Sequence, residues 1–121
     1  MKSLQDYQNK KIPSLSSIII LIKPITWFPP MWAFLCGAVS SSNISMDSSM
    51  LLLIGLILSG PIVCGMSQAI NDWYDKEVDA INEPNRPIPS GKIPGSWGFW
   101  IAVFMSITGI IISWFLGFWG F

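Results

Sequence analysis

Three long stretches of the 121-residue sequence carry no charged residue, and this feature constrains the fold more than any other. They cover residues 24–46, 48–71 and 93–121. A helix needs about 20 apolar residues to cross a bilayer core of roughly 30 Å, so each stretch is long enough to span it. The sequence therefore predicts an all-α membrane protein with about three transmembrane helices, at about 24–43, 49–70 and 96–118. It excludes a soluble globular domain.

The N-terminal residues 1–23 are predicted to be a cytoplasmic lead-in. Residues 1–14 are mostly polar, whereas residues 15–22 are mostly apolar and predict a short interfacial helix. Basic residues before an apolar run are also typical of a signal peptide. No small-residue cleavage site follows, however, and the apolar run continues through Lys23 and Pro24. We expect this segment to remain uncleaved.

The positive charges predict the orientation of the chain in the membrane. All seven lysines and arginines lie in the lead-in or between residues 71 and 92, and none lies in the turn at residues 40–48. The positive-inside rule therefore places the N terminus and the 71–92 loop in the cytoplasm. Within the spans, Pro29-Pro30 and Gly60-Pro61 are expected to bend the helices.

Composition removes several classes of partner and cofactor. Seven basic residues balance seven acidic ones, so no net charge indicates nucleic acid as a partner. The chain has no histidine, and its two cysteines, Cys36 and Cys64, lie within apolar stretches. There we expect small apolar residues rather than a disulfide or metal ligands. A zinc or haem site therefore lacks ligands.

The loop after the second span carries the residues that are most suited to metal binding and catalysis. If the second helix continues through it, Asp72, Asp75 and Asp79 lie on one helix face. Asn71 lies beside Asp75 on that face. Carboxylates this close repel one another unless a cation joins them, and carboxylate and amide oxygens suit Mg²⁺. The pattern predicts that these four residues bind Mg²⁺; the alternative is a solvated acidic helix end paired with Lys76.

Three prolines follow the acidic residues: Pro84, Pro87 and Pro89. They exclude a continuous helix and are expected to hold residues 84–91 extended. This conformation would direct Arg86 over the acidic face, where a guanidinium binds phosphate or carboxylate. Alternatively, Arg86 is only a positive charge that anchors the loop in the cytoplasm. Glu77 and Glu83 point elsewhere on helical spacing and are expected to be surface charges.

Several segments resemble a known family. N-D-x-x-D-x-x-x-D at residues 71–79 resembles the first aspartate-rich motif of the UbiA-type intramembrane prenyltransferases. D-A-I-N-E-P-N-R-P-I-P-S-G at 79–91 is similar to the chlorophyll and bacteriochlorophyll synthase branch of that family. K-P-I-T-W-F-P-P-M-W-A-F-L-C-G at 23–37 and G-P-I-V-C-G-M-S-Q-A-I-N-D-W at 60–73 resemble its bacteriochlorophyll synthases. The resemblance runs from about Leu21 to Phe121.

The resemblance implies a bundle of nine transmembrane helices around a central cavity, with a second aspartate motif in a later cytoplasmic loop. This sequence holds about the N-terminal third of such a bundle and no second motif. We expect residues 24–121 to be a partial UbiA-type domain, with residues 71–92 as its cytoplasmic active-site loop. The chain would be a truncated gene product, a partial sequence, or one piece of a split enzyme whose second chain supplies the missing helices.

The resemblance also implies a Mg²⁺-dependent reaction. A geranylgeranyl or phytyl group would pass from its diphosphate to the propionate of bacteriochlorophyllide, in a bacterial inner or intracytoplasmic photosynthetic membrane. Asp72, Asp75 and Asp79 are then the expected catalytic residues and metal ligands. Asn71, also a metal ligand, and Arg86 are expected to bind the diphosphate.

Two further points stay open at this stage. Gln68, one turn before Asp72, either lines the acceptor cavity or makes a hydrogen bond in helix packing. The function has two alternatives: another prenyltransferase of the same fold, which makes a quinone or haem precursor, or a non-catalytic three-helix membrane protein that binds Mg²⁺ or assists assembly.

Overall fold

The computed structural model describes residues 12–42 and 45–117. Expectations for residues 1–11, with three of the lysines, for residues 43–44 and for residues 118–121 lie outside this part of the chain. All regular structure between these bounds is helical. Three helical segments are long and apolar enough to cross a membrane: Leu15–Ser40, Met46–Tyr74 and Trp97–Phe115. The predicted all-helical membrane fold with three spans is therefore confirmed.

The first helical segment consists of two helices that meet at Lys23. Helix α1 (Leu15–Ile22) is followed by a 3₁₀ turn (Pro24–Trp27) and by helix α2 (Phe28–Ser40). Lys23 adopts a left-handed backbone conformation, with φ of 47°, which a β-carbon disfavours. The break therefore falls at Lys23 rather than at Pro29-Pro30. Those prolines lie in the first turn of α2, where a missing backbone N–H breaks no helical hydrogen bond.

Side chains hold this junction in place. The backbone N–H and the hydroxyl of Thr26 donate to the Lys23 carbonyl, at 2.9 and 2.8 Å. The indole N–H of Trp27 donates to the Ile22 carbonyl at 2.9 Å. These bonds satisfy carbonyls that the helix break leaves without a helical partner, and they offset part of the cost of the left-handed residue.

The second segment is widened at its centre. After a 3₁₀ turn (Met46–Ser48), helix α3 (Ser49–Ile57) passes into a π-helical stretch (Leu58–Cys64) and then into helix α4 (Gly65–Tyr74). Pro61 lies inside the π-helical stretch, which is where a chain accommodates a residue without an N–H. Gly60 permits close packing here, because a β-carbon at this position would lie 2.5 Å from the side chain of Met31.

The chain then turns back through a short helix α5 (Lys76–Asn82) and a loop to helix α6 (Trp97–Phe115). The buried apolar residues within the described ranges are Leu21, Ala69, Ile93 and Ala102. They come from α1, α4, the loop and α6, so all three segments and the loop meet in one small core. This core holds the end of α4, with its acidic residues, against α1 and the loop.

We predict that a cysteine at Ser42 is accessible from outside the cell and that a cysteine at Ser90 is not. Ser42 lies in the turn between the first two spans, and Ser90 in the loop before the third. The positive-inside rule places these two positions on opposite sides of the membrane. The measurement is labelling of Ser42→Cys and Ser90→Cys with a membrane-impermeant maleimide, in a background with Cys36 and Cys64 replaced by alanine.

Permeabilised cells serve as the control for this experiment, because both cysteines should then react. Labelling of Ser90→Cys but not of Ser42→Cys in intact cells would reverse the topology and move the 71–92 loop to the outer face.

Candidate functional site

A buried carboxylate lies where α1, α4 and the loop meet. Asp72, in the last turn of α4, is 1% exposed. Its Oδ1 accepts a hydrogen bond from Lys23 Nζ at 2.8 Å and a longer one from Arg86 Nη1 at 3.3 Å. The two cations come from positions 49 residues before and 14 residues after Asp72. One carboxylate therefore joins the junction within the first span, the end of the second span and the loop.

Arg86 is the centre of the wider ion cluster. Besides Asp72, its Nη1 donates to Asp79 Oδ2 at 3.0 Å, and its Nε donates to the carboxylate of Glu83. The hydrogen bond to Glu83 raises the pKa of Arg86 above its usual value, and attraction to Asp72 and Asp79 adds to this effect, while burial opposes it. Glu83, which we expected to be only a surface charge, is exposed but helps to hold Arg86.

The loop reaches this position by turns rather than by extension. The N–H of Arg86 donates to the Glu83 carbonyl, that of Ser90 to the Arg86 carbonyl, and that of Gly91 to the Ile88 carbonyl. The expectation of an extended segment at 84–91 is therefore wrong. Proline restricts its own φ to about −65°, and this value suits turns as well as extended chain.

The predicted acidic face is only partly assembled. Asp72 and Asp79, seven residues apart, meet on the guanidinium of Arg86. The helix is interrupted at Asp75, whose φ and ψ are −85° and 3°, although the i to i+4 hydrogen bonds continue through it. Asp75 and Asn71 are exposed, whereas Asp79 is buried like Asp72. The motif thus presents a buried pair of carboxylates and two exposed polar groups.

The fit of this donor set to a metal ion depends on one oxygen. Within the described ranges, no group of three or more His, Cys, Asp or Glu side chains is arranged to hold a metal ion. However, Asp72 Oδ2 is buried and has no hydrogen-bond partner there. Buried carboxylate oxygens almost always have a partner, and this hard oxygen suits a cation such as Mg²⁺. Asn71, Asp75 and Asp79 carry further oxygens, but the described structure does not bring three acidic groups together for a metal ion, so Asp72 Oδ2 is the oxygen that is placed to accept a cation.

Two further residues, Gln68 and Lys23, lie near Asp72. Gln68 is half-buried one turn before Asp72, and its role in acceptor binding or helix packing stays a prediction. Lys23 contacts Asp72, but we had counted it only as a positive charge of the lead-in. The available signal was its position, because a lysine that directly precedes a charge-free span must find an anionic partner or reach water.

A cleft of about 540 Å³ opens beside the ion cluster. It is lined by Ile20, Lys23 and residues 82–87, which include Arg86 and two asparagines. We refer to it as the cationic cleft, because the side chains of Lys23 and Arg86 both reach it. The site thus combines a buried carboxylate pair with an open cleft that carries positive charge.

Comparisons with known proteins agree with the motifs. The profile of the UbiA prenyltransferase family matches residues 25–121. The chain is 58% identical over 112 residues to the bacteriochlorophyll synthase 33 kDa chain of Rhodobacter capsulatus, with 93% of this chain and 37% of that protein covered. It is 53% identical, with the same coverage, to the protein of that name from Cereibacter sphaeroides.

A third relative is more distant. The chain is 47% identical over 100 residues to the bacteriochlorophyll synthase 34 kDa chain of Chloroflexus aurantiacus, with 82% of this chain and 32% of that protein covered. The chain therefore spans about a third of the length of these curated relatives. No solved structure matches it.

We predict that Asp72→Asn lowers the free energy of unfolding by about 1–3 kcal/mol. Removing one partner of a fully buried ion pair costs about 3–5 kcal/mol. We expect a smaller cost for Asp72→Asn because its partners Lys23 and Arg86 are partly exposed. The measurement is loss of helical circular dichroism during denaturation in detergent micelles. Asp75→Asn is the matched control: it removes an exposed carboxylate and should change stability by less than about 0.5 kcal/mol. Equal stability of both variants would contradict a structural role for the Asp72 cluster.

Proposed function

The chain belongs to the UbiA prenyltransferase family, and we propose that it provides the first carboxylate site of a bacteriochlorophyll synthase. The reaction would transfer a geranylgeranyl or phytyl group from its diphosphate to the propionate of bacteriochlorophyllide. Identities of 53–58% to two relatives of that name support this choice over quinone or haem precursors as acceptors. The chain covers 37% of the length of each of these relatives, so the activity and the substrates are proposed for the protein that contains it.

The observation that carries this proposal is the unpartnered Oδ2 of the buried Asp72. Three carboxylates, of Asp72, Asp79 and Glu83, face the two cations Lys23 and Arg86, so the cluster keeps one formal negative charge. Such a site attracts a further cation. Members of this family are generally metal-dependent. We assign Asn71, Asp72, Asp75 and Asp79 as the residues that hold Mg²⁺.

Mg²⁺ bound at this site would neutralise the diphosphate and make it a better leaving group. The remaining work belongs to the side chains. The guanidinium of Arg86 offers parallel N–H donors to phosphate oxygens. The C–O bond between the prenyl group and the diphosphate breaks, and a propionate oxygen forms the new C–O bond of the ester. A propionate is ionised at neutral pH, so this nucleophile needs no general base.

The membrane position of the site suits these substrates. The chain is an integral membrane protein with three apolar spans, and a C20 chain and a tetrapyrrole are both largely apolar. We propose that the site faces the cytoplasm at a bacterial inner or intracytoplasmic photosynthetic membrane, because the 71–92 loop carries Lys76, Arg86 and Lys92, whereas the turn at residues 40–48 carries no lysine or arginine. Gln68, one turn from Asp72 towards the membrane, would line the cavity for the acceptor.

We predict that Asp75→Asn abolishes most prenyltransferase activity without loss of stable protein. The exposed carboxylate of Asp75 contributes little to packing, but one charge fewer at the metal site should weaken Mg²⁺ binding by about 10- to 100-fold. The assay is bacteriochlorophyllide esterification across a Mg²⁺ titration, with the R. capsulatus relative whose matching region is replaced by this chain. Asp47→Asn, exposed at the opposite end of the second span, is the control and should be nearly silent. Parental activity of Asp75→Asn at every Mg²⁺ concentration would refute the role of this residue.

We also predict that the 121-residue chain does not esterify bacteriochlorophyllide by itself. Three spans form open clefts, and one carboxylate cluster offers only one side of a metal–diphosphate site. The test is product analysis by liquid chromatography, with purified chain, Mg²⁺, geranylgeranyl diphosphate and bacteriochlorophyllide. The chimeric relative is the positive control. Ester formed by the isolated chain, free of host synthase, would contradict the proposal that further helices are needed.

A further inference from the structure

The π-helical stretch Leu58–Cys64 puts a wider turn into the second span, upstream of the acidic residues. The N–H of Gly65, directly after the stretch, donates to the carbonyl of Gly60, five residues earlier, whereas an α-helical bond spans four residues. The ring of a proline clashes with the carbonyl four residues before it in a regular helix. The wider turn around Pro61 relieves this clash, and it takes up one residue more than an α-helical turn.

Specific contacts hold the π-helical stretch in this form. The carbonyl of Leu56, five residues before Pro61, receives no N–H from the proline, and the hydroxyl of Ser59 donates to it at 3.2 Å. At the end of the stretch, the thiol of Cys64 donates to the carbonyl of Thr26 in the first span at 3.4 Å. The widening is therefore built from side chains of two spans.

The extra residue determines which side of the second span faces the first span beyond Pro61. A β-carbon at Gly60 would meet the side chain of Met31, and Asp72 binds Lys23, so both positions face the first span. They are 12 positions apart, and at about 100° per residue a regular α-helix would separate them by about 120° around its axis. When one residue is absorbed by a wider turn, the angle falls to about 20°.

We propose that Pro61, through the π-helical stretch, is a positioning residue for the candidate site. It sets the rotation of helix α4 and thereby brings the carboxylate of Asp72 to Lys23 and Arg86. An uninterrupted α-helix of the same length would direct Asn71 toward the first span instead. This inference rests on the proposed function where it concerns a divalent cation at Asp72, whereas the rotation itself can be tested without metal.

Two deletions of one residue each test the rotation. Deletion of Pro61 removes the residue that the wider turn absorbs, so a regular α-helix then keeps Asp72 opposite Lys23. Deletion of Ser67 is the matched control, because this exposed residue of α4 lies beyond the π-helical stretch. It leaves the wider turn in place and should rotate Asp72 by about 100° away from Lys23.

The first measurement is a double-mutant cycle with Lys23→Met and Asp72→Asn in each of the three backgrounds. The readout is the midpoint of thermal unfolding, followed by helical circular dichroism of the full chain in detergent micelles. In the parent and in the Pro61 deletion, the two single effects should fail to add by about 3 °C or more, because the ion pair is present. In the Ser67 deletion they should add to within about 1 °C.

The second measurement is Mn²⁺ binding to the full chain in lipid nanodiscs by electron paramagnetic resonance, with Mn²⁺ in place of Mg²⁺. The Pro61 deletion should bind Mn²⁺ within about twofold of the parent, and the Ser67 deletion should bind it about tenfold more weakly or worse. No Mn²⁺ binding by the parent would contradict the metal site of the proposed function, and the double-mutant cycle would then decide the rotation by itself.

The proposal is overturned if the Pro61 deletion loses the coupling between Lys23 and Asp72, the helical circular dichroism of the parent, or tenfold in Mn²⁺ affinity. Coupling of parental size in the Ser67 deletion would overturn it as well, because rotation would then be unimportant. If the Ser67 deletion does not fold, an alanine inserted after Ser67 carries the same comparison, since it turns Asp72 by the same angle in the opposite sense.

Discussion

The contact between Lys23 and the buried Asp72 is the interaction on which the rest of this structure depends. It joins the junction within the first span to the end of the second, and Arg86 extends it to the loop before the third. A carboxylate as deeply buried as Asp72 is tolerated only with such partners, because the loss of hydration otherwise costs several kcal/mol. The ion cluster and the small apolar core beside it therefore stabilise the same end of the bundle.

Much of the apolar helix surface is not packed against other parts of the chain. Helix α6 exposes eight large apolar residues along its length: Trp97, Trp100, Phe104, Ile107, Ile110, Ile111, Trp114 and Phe115. In water such a surface would drive association, whereas lipid or neighbouring helices cover it in a membrane. Close contacts between spans occur instead at small residues. A β-carbon at Gly60 would lie 2.5 Å from the side chain of Met31 in the first span, and one at Gly109 would lie 3.2 Å from that of Ile62 in the second. Contact at these positions gives the helices their packing without a large core.

Within the acidic motif, some residues are buried in the fold and others are exposed. Asp72 and Asp79 are buried and joined by Arg86, and Asp72 also presents an oxygen without a partner within the described residues. Asp75 and Asn71 are exposed and contribute little to packing. We therefore expect substitutions at the buried and at the exposed residues of the motif to differ in their effect on stability. The positive groups Lys23 and Arg86, which hold Asp72, also line the cleft beside the cluster.

The sequence by itself determined the three spans and the acidic motif, because runs without charge and the spacing of carboxylates are local properties of the chain. It also indicated Arg86, through the prolines on either side of it. Other features required the tertiary structure. The partnership of Lys23 with Asp72 joins residues 49 positions apart, and no local pattern encodes it. The turns of the loop bring Arg86 to Asp72 and Asp79, and Ile93 into the core with residues of α1, α4 and α6. Proline and helix spacing restrict the backbone, whereas contacts between distant segments select which of the allowed conformations the chain adopts.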